Sequence, residues 1–275
     1  MSERTGIPLK NILIYALIVV ATLVFLFPIF WLLLTTFKVR VDVFAIPPKF
    51  IFHPTLDNYK MVLHSPFMKY FANSLIIAVV STTFSVVLGT LTAYGFSRYP
   101  VRRSDNLLFW ILSLRMLPVI AVVVPFYILF RTLNLLDTHL ALVLIYGIFN
   151  VAFTVWLMKG MFDEVPRELE EAAMMDGYSP LHVFLQVSLP QVWAGVATTA
   201  VFCLIQSLNE FLIALILTNQ TAVTAPVGLA KFQSFFGIDW GQITAASSIF
   251  VMPILIFTIF VRNYLIRGLS FGRMK

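Results

Sequence analysis

Residues able to make strong polar contacts cluster in one stretch of an otherwise apolar chain, residues 168–190, ELEEAAMMDGYSPLHVFLQVSLP. Carboxylates here can form charge-assisted hydrogen bonds with arginine, and adjacent alanines allow another surface to approach closely. The residues with these properties, together with the glycine that follows them, are Glu170, Glu171, Ala172, Ala173, Asp176 and Gly177. The chemistry indicated is noncovalent docking of a partner, although such a charge run is often only a solvated face.

Local sequence signals predict a helix, a turn and a second helix in this insert. Pro166 stands where a first-turn proline opens a helix, which should run to about Asp176. Gly177 is the expected stop, because glycine adopts the left-handed conformation that follows many helices at little cost. Ser179 and Pro180 then provide a cap and a first-turn proline for the second helix. The insert is therefore predicted to be a hairpin suited to a groove.

Three further polar residues interrupt long apolar segments: Arg115, Asn209 and Glu210. Ionisable groups inside a membrane are costly, so Arg115 and Glu210 are candidates for the path of a transported solute. Asn209 is a candidate because its amide, beside the Glu210 carboxylate, can form hydrogen bonds with a solute such as a sugar. Helix packing and interhelical hydrogen bonding explain Asn209 and Glu210 equally well. Because carboxylates are so scarce in the apolar segments, a proton relay is poorly supported, and an ion-coupled secondary transporter is the weaker alternative.

The sequence lacks the spacings of catalytic, metal and nucleotide sites. The histidines are spread over loops and segment ends without the His-Glu-x-x-His spacing of a metal site: His53, His64, His139 and His182. No Gly-x-x-x-x-Gly-Lys-Ser/Thr loop is present to bind ATP phosphates. We therefore predict no enzyme activity, no catalytic residue, no metal and no cofactor. Any ATP that drives this protein should be bound by a separate subunit.

Apolar residues dominate the chain, which has 275 residues of which 60% are hydrophobic and 12% are charged. They form long blocks rather than the short periodic patterns of a soluble domain. A helix needs about 20 mostly apolar residues to cross a bilayer. Six stretches qualify: residues 11–36, 70–96, 107–130, 139–159, 191–217 and 245–266. The predicted fold class is all-α, a polytopic membrane protein with six transmembrane helices and one inserted hairpin.

Lysine and arginine predict the orientation, because they concentrate in cytoplasmic loops. If the N-terminus is inside, the inner segments contain Arg4, Lys10, Arg98, Arg102, Arg103, Lys159, Arg167, Arg262, Arg267, Arg273 and Lys275. The outer segments then contain Lys38, Arg40, Lys49, Lys60, Lys69, Arg131 and Lys231. This bias predicts a cytoplasmic N-tail of residues 1–10, a membrane domain of 11–266 with the insert at 161–190, and a cytoplasmic C-tail of 267–275. The scattered basic residues form no stripe for nucleic acid.

The insert carries a pattern with fixed spacing. Glu171-Ala172-Ala173 is followed after three residues by Gly177, then after nine residues by Val187, one residue and Leu189-Pro190. This pattern resembles the EAA loop of permease subunits of binding-protein-dependent ABC importers, where isoleucine is preferred at the position of Val187. Further segments, including LNEFLIALILT, TAPVGLAKF, WGQITAAS and RGLSFGRMK, resemble the second permease subunit of maltose-type carbohydrate importers. The resemblance extends over nearly the whole chain.

The resemblance implies an assembly. In that family two six-helix permeases embedded in membrane lipid form the pathway, two ATP-binding subunits dock on the inner face, and an external binding protein delivers the carbohydrate. The insert is then the cytoplasmic coupling helix, held by an ATPase subunit. The implied location is the inner membrane of a bacterial or archaeal cell. Arg115 alone does not form the arginine cluster that an anionic substrate favours, so a neutral di- or oligosaccharide is preferred over glycerol phosphate or another small solute.

Overall fold

The computed structural model describes residues 9–234 and 237–270, most of which lie in helices. Long apolar runs become helical because a helix satisfies every backbone N–H and C=O within its own segment. The α-helices are α1 (Leu9–Thr36), α2 (Arg40–Val43), α3 (Asp57–His64), α4 (Phe67–Arg98), α5 (Ser104–Ser113), α6 (Val119–Thr132), α7 (His139–Asp163), α8 (Arg167–Met175), α9 (Pro180–Val183), α10 (Leu189–Gln191), α11 (Trp193–Asn209), α12 (Leu212–Leu217), α13 (Ala225–Ala230) and α14 (Trp240–Ser270). A 3₁₀ turn (Leu114–Met116) and a π-helical turn (Phe184–Ser188) complete the helical segments. Strands β1 (Gln233–Ser234) and β2 (Gly237–Ile238) form one short antiparallel pair.

Four described helices are long and apolar enough to cross a membrane: Leu13–Thr36, Phe67–Arg98, His139–Asp163 and Trp240–Arg262. Two bent helix pairs pass the same test, Ser104–Met116 with Val119–Thr132 and Pro180–Gln191 with Trp193–Asn209. Counting each bent pair as one span brings the total to six. The predicted all-α class with six apolar spans is confirmed on that count.

Two of the predicted spans are interrupted, since neither residues 107–130 nor residues 191–217 form one continuous helix. The first bends by 93° between Met116 and Val119. Pro118 explains this bend, because a proline disfavours helical geometry at the residue before it, and Leu117 is extended with ψ 128°. The second is interrupted after Asn209, where the backbone also turns extended. Hydropathy detects an apolar block but carries no information about a bend inside it.

The helix ends lie near the predicted boundaries of the tails and of the insert, which remain predictions. Helix α1 already begins at Leu9, and α14 continues through Ser270, beyond the predicted end of the membrane domain at residue 266. Helix α7 extends to Asp163, so the first residues of the predicted insert still belong to the preceding helix. The remaining tail residues, 1–8 and 271–275, lie outside the described part of the chain.

The chain divides into two compact units, residues 1–66 with 231–249, and residues 67–230 with 250–275. In the first unit, α3 is joined to the end of α1 by a buried amide. The Asn58 side chain donates to the carbonyl oxygens of Thr36 and Lys38, both at 2.9 Å. These two bonds hold α3 against the segment that follows α1.

The second unit is built on α4, α7 and α11. Close packing of α4 on α7 depends on Gly89, because a Cβ at this position would lie 2.5 Å from the Thr154 Cβ. Buried apolar side chains beside α6 and α12 form one cluster: Ile77, Val123, Phe130, Ala141, Leu142, Ile145, Tyr146, Ile213, Ala214, Leu217, Val223 and Val227. A second cluster lies toward the far end of α4: Ala93, Tyr94, Met158, Phe162, Val165, Phe184 and Val192.

One carboxylate that sequence reasoning missed joins two loops of the second unit. Asp137 has a left-handed backbone, with φ 57°, and its carboxylate accepts hydrogen bonds from four successive backbone N–H groups. The donors, at 2.9 to 3.1 Å, are Asn219, Gln220, Thr221 and Ala222. Burial opposes ionisation, but the backbone hydrogen bonds outweigh it and lower the pKa of Asp137 from 3.8 to about 2.

Replacing Asp137 by alanine is expected to lower the free energy of unfolding by about 1 to 3 kcal/mol at neutral pH, because several backbone donors lose their acceptor. A carboxylate whose pKa is lowered by folding stabilises the fold fully when the pH is above its pKa in the unfolded chain, near 3.8. This stabilisation is lost as the pH falls through the folded-state pKa of about 2. Thermal unfolding of purified parent and variant between pH 7 and pH 3 measures the effect. The difference between the two proteins should shrink below about pH 4; a difference that stays constant to pH 3 contradicts the assignment.

Candidate functional site

The insert folds as the predicted hairpin. Helix α8 ends in a left-handed glycine, Gly177, with φ 89°. The Gly177 N–H donates to the Met174 carbonyl and the Tyr178 N–H donates to the Ala173 carbonyl, each at 3.1 Å, which are the two bonds of a glycine-terminated helix. The Ser179 hydroxyl then accepts from the His182 N–H at the start of the next helix. These local predictions are confirmed.

The second helix of the hairpin is less regular than the sequence predicts. It passes through the π-helical turn Phe184–Ser188 and meets α11 at an angle of 78°. Val183, Phe184 and Ser188 are buried, while Leu181 and Leu185 are 62% and 49% exposed. The hairpin therefore has one face packed within its own unit and one face left uncovered.

The structure corrects the role predicted for Glu170. Its side chain is only 4% exposed and forms an ion pair with Arg98 of α4, with the Arg98 Nε 2.8 Å from Glu170 Oε1. The hydroxyls of Tyr94 and Ser188 also donate to this carboxylate, at 3.2 and 2.7 Å. A buried carboxylate with three partners inside its own chain is not available to a docking subunit. Glu170 instead joins both helices of the hairpin to α4.

Further polar contacts fix the base of the hairpin to the same end of α4. Arg98 donates through Nη2 to the Val165 carbonyl, and Arg167 donates to the Ser97 carbonyl, both at 2.9 Å. The Ser97 hydroxyl donates to Asp163 at 2.6 Å. These bonds and the Glu170 ion pair attach the base of the hairpin to the end of α4.

The tip of the hairpin remains uncovered. Glu171, Ala172, Asp176 and Gly177 are exposed and Ala173 is half-buried, so five of the six predicted docking residues lie on or near the surface. Large apolar side chains of the same segment are also exposed, with Met175 90%, Leu181 62%, Tyr178 47% and Met174 46% exposed. An exposed segment that combines apolar side chains with a carboxylate has the composition of a protein-binding surface.

The second predicted group of residues lies at the breaks in the two interrupted spans. Arg115 occupies the 3₁₀ turn between α5 and α6. Its Nη2 donates to Gln206 Oε1 at 2.6 Å, and its guanidinium lies over the Phe153 ring, 4.7 Å from the centroid. Its Nη1 is buried and has no hydrogen-bond partner among the described residues. This is an unusual state for a charged donor, because a buried polar group without a partner is costly.

Glu210 occupies the break between α11 and α12. Its carboxylate accepts from the backbone N–H groups of Ile213 and Ala214, as a capping residue does at a helix N-terminus. The Tyr146 hydroxyl donates to Glu210 Oε2 at 3.1 Å. The alternative explanation of Glu210, interhelical hydrogen bonding, therefore accounts for part of its role.

A cavity of about 170 Å³ brings Arg115 and Glu210 together. It is lined by Arg115, Leu117, Val119, Tyr146, Phe149, Asn150, Gln206, Ser207, Glu210 and Ile213. Asn209, the third predicted residue, is exposed and is not among the lining residues. Sequence reasoning missed Gln206, although its position four residues before Glu210 would place both side chains on one side of a continuous helix.

The long apolar spans of the described residues are those of a polytopic membrane protein. Residues 85–271 match the family described as "Binding-protein-dependent transport system inner membrane component". That match covers more than half of the chain, and the chain therefore belongs to this family of integral membrane permeases.

Two relatives and one solved structure are similar to this chain over nearly its whole length. A probable ABC transporter permease of Sinorhizobium fredii is 38% identical, covering 93% of this chain and 92% of the relative. The trehalose/maltose transport system permease of Thermococcus litoralis is 32% identical, covering 97% and 98%. A chain of a bacterial ABC transporter that imports the acidic polysaccharide alginate has a TM-score of 0.78 at 22% identity, with 96% of this chain and 99% of that chain covered. This last similarity establishes the shared fold.

Proposed function

We propose that this chain is one of two six-helix permease subunits in an ATP-driven importer for a neutral di- or oligosaccharide. Two ATP-binding subunits dock at the cytoplasmic face, one of them on the hairpin of this chain, and an external binding protein delivers the sugar. The chain itself binds no nucleotide and catalyses no covalent reaction. Both termini are cytoplasmic, as the lysine and arginine distribution predicts.

The uncovered tip of the hairpin is the observation that carries this proposal. Glu171 extends from an exposed helix beside a glycine turn, and the same tip exposes Met175 almost completely. A partner that supplies an arginine to Glu171 and an apolar pocket to Met175 would cover both features. Because Glu170 and Arg98 tie the hairpin to α4, movement of that partner would reach the membrane domain.

The sugar class is supported by two independent features. The trehalose/maltose permease of Thermococcus litoralis and a diacetylchitobiose uptake permease of Streptomyces coelicolor align along 90% or more of this chain. The cavity that contains Arg115 and Glu210 combines aromatic, amide and hydroxyl side chains without a cluster of arginines. An anionic substrate would favour such a cluster, and a neutral sugar does not need one.

Substitutions of Glu171 and of Gly177 are expected to impair different functions of the docking tip. Glu171→Ala should keep most of the associated ATPase but lose substrate-stimulated ATP hydrolysis, because one charge-assisted contact of roughly 1.5 to 3 kcal/mol is removed. Gly177→Val should lose the ATPase as well, because a β-branched residue at φ 89° disrupts the turn itself. Co-purification of the ATPase and stimulated ATP hydrolysis measure both effects.

Two matched variants serve as controls. Glu168→Ala removes another exposed carboxylate from α8, and Gly160→Val adds the same side chain at a helical glycine where nothing lies within 4 Å of a Cβ. Both should behave like the parent. If Glu171→Ala and Gly177→Val also match the parent, the hairpin is a solvated loop and the docking proposal is wrong. Gradient-driven uptake by this chain alone would favour a secondary transporter instead.

A further inference from the structure

We infer that this subunit contributes a sugar-binding site of its own, the cavity between the broken span that contains Arg115 and the broken span that contains Glu210. The inference rests on the proposed transport function and locates the substrate contact in this chain rather than in its partner permease. Its ligand class is a neutral, hydroxyl-rich sugar ring.

The position of the cavity is the first observation. Two lining residues on α7, Tyr146 and Asn150, lie seven and eleven residues after His139, which places them roughly 10 and 16 Å along a helix of roughly 37 Å. The cavity therefore lies well inside the apolar part of the span. Irregular backbone at this depth is tolerated where it is buried in protein or lines a cavity, and discontinuous helices surround substrate sites in many transporters.

The unused hydrogen-bonding capacity of the cavity is the second observation. Arg115 donates from Nη2 to Gln206, and its guanidinium lies over the Phe153 ring. Its buried Nη1 has no hydrogen-bond partner among the described residues. This nitrogen requires an acceptor. Glu210 Oε1 receives only a hydrogen bond from the Ile213 N–H, at 3.1 Å, which leaves a lone pair for a donor. A hydroxyl-rich ligand supplies an acceptor to one group and a donor to the other.

The remaining lining distinguishes a sugar from a simple anion. The formal charges of the Arg115 guanidinium and the Glu210 carboxylate balance, so a bare anion would gain one attraction and one repulsion. Tyr146 and Phe149 provide aromatic surface for the apolar side of a ring, and Gln206 and Ser207 provide polar groups. A volume of about 170 Å³ corresponds to roughly five or six water molecules, enough space for one sugar ring.

Direct binding to the assembled permease and ATPase complex, purified without its binding protein, tests the inference. Maltose and trehalose are the neutral probes and a galacturonic acid disaccharide is the acidic probe, with dissociation constants obtained by saturation-transfer NMR. Arg115→Met and Glu210→Gln are each expected to weaken binding of a neutral probe by about tenfold or more. Arg131→Met is the matched control, because it removes an exposed arginine from α6 that does not line the cavity.

Three results would overturn the inference. The first is unchanged binding in Arg115→Met and Glu210→Gln. The second is binding of the acidic probe alone, which would assign the cavity to anions. The third is loss of the partner permease from Arg115→Met, which would mean that Nη1 pairs across the subunit interface. A failure of the proposed function gives a different result from a failure of this inference, because the ATPase subunit would then be absent from the complex purified with the parent chain.

Discussion

Glu170→Ala is expected to destabilise the protein by about 3 to 5 kcal/mol, because removing one member of a buried ion pair leaves the other charge uncompensated. Arg98 and Glu170 are 7% and 4% exposed, so water cannot replace the missing carboxylate. The hydroxyls of Tyr94 and Ser188 lose their acceptor at the same time. The expected result is a large fall in the midpoint of thermal unfolding of the purified protein, with loss of ATPase co-purification because the hairpin loses its attachment to α4.

Two variants separate the ion pair from a general effect of the insert. Glu168→Ala removes an exposed carboxylate from the same helix and should change the free energy of unfolding by no more than about 0.5 kcal/mol. The double variant Glu170→Met with Arg98→Met should recover part of the lost stability, because it leaves no uncompensated buried charge, although Tyr94 and Ser188 still lack their acceptor. An unfolding midpoint of Glu170→Ala equal to that of Glu168→Ala would show that the pair is not buried in the assembled protein.

Gly89→Leu is expected to prevent normal packing of α4 on α7. Even a Cβ at this position would lie 2.5 Å from the Thr154 Cβ and 3.3 Å from the Val151 carbonyl oxygen, which belongs to the backbone and cannot rotate away. The two helices must therefore separate. Forcing extra atoms into a packed interface typically costs about 1 to 3 kcal/mol, and leucine adds three carbons beyond the Cβ. The measurements are accumulation in the membrane and the thermal unfolding midpoint in detergent.

Gly95→Leu is the matched control for this packing prediction. Gly95 belongs to the same helix, but nothing lies within 4 Å of a Cβ built there. Its replacement should leave accumulation and the unfolding midpoint close to those of the parent, since leucine also has a better helix propensity than glycine. Equal behaviour of the two leucine variants would contradict the close approach of α4 and α7 at Gly89.

The sequence alone determined the class of this protein and the architecture of its insert. Six apolar blocks predicted a polytopic helical membrane protein, because crossing a bilayer requires long uninterrupted apolar segments. The hairpin was equally predictable, since Gly177, Ser179 and Pro180 act through local backbone geometry that depends little on distant residues. Arg115 and Glu210 could be identified as candidates from the sequence, because ionisable residues are scarce in the apolar blocks and each one is costly inside a membrane.

Only the tertiary structure decided which of these polar residues face inward and which face outward. Glu170 and Glu171 are neighbours in sequence, yet they point about 100° apart on α8, and α4 covers only the first. Asp137 and its four backbone donors are more than eighty residues apart, so no local pattern could pair them. The cavity lies where two separate spans are interrupted, after Met116 and after Asn209, and the fold places these two breaks together. Burial and partner choice depend on what packs against a residue, and a linear pattern does not contain that information.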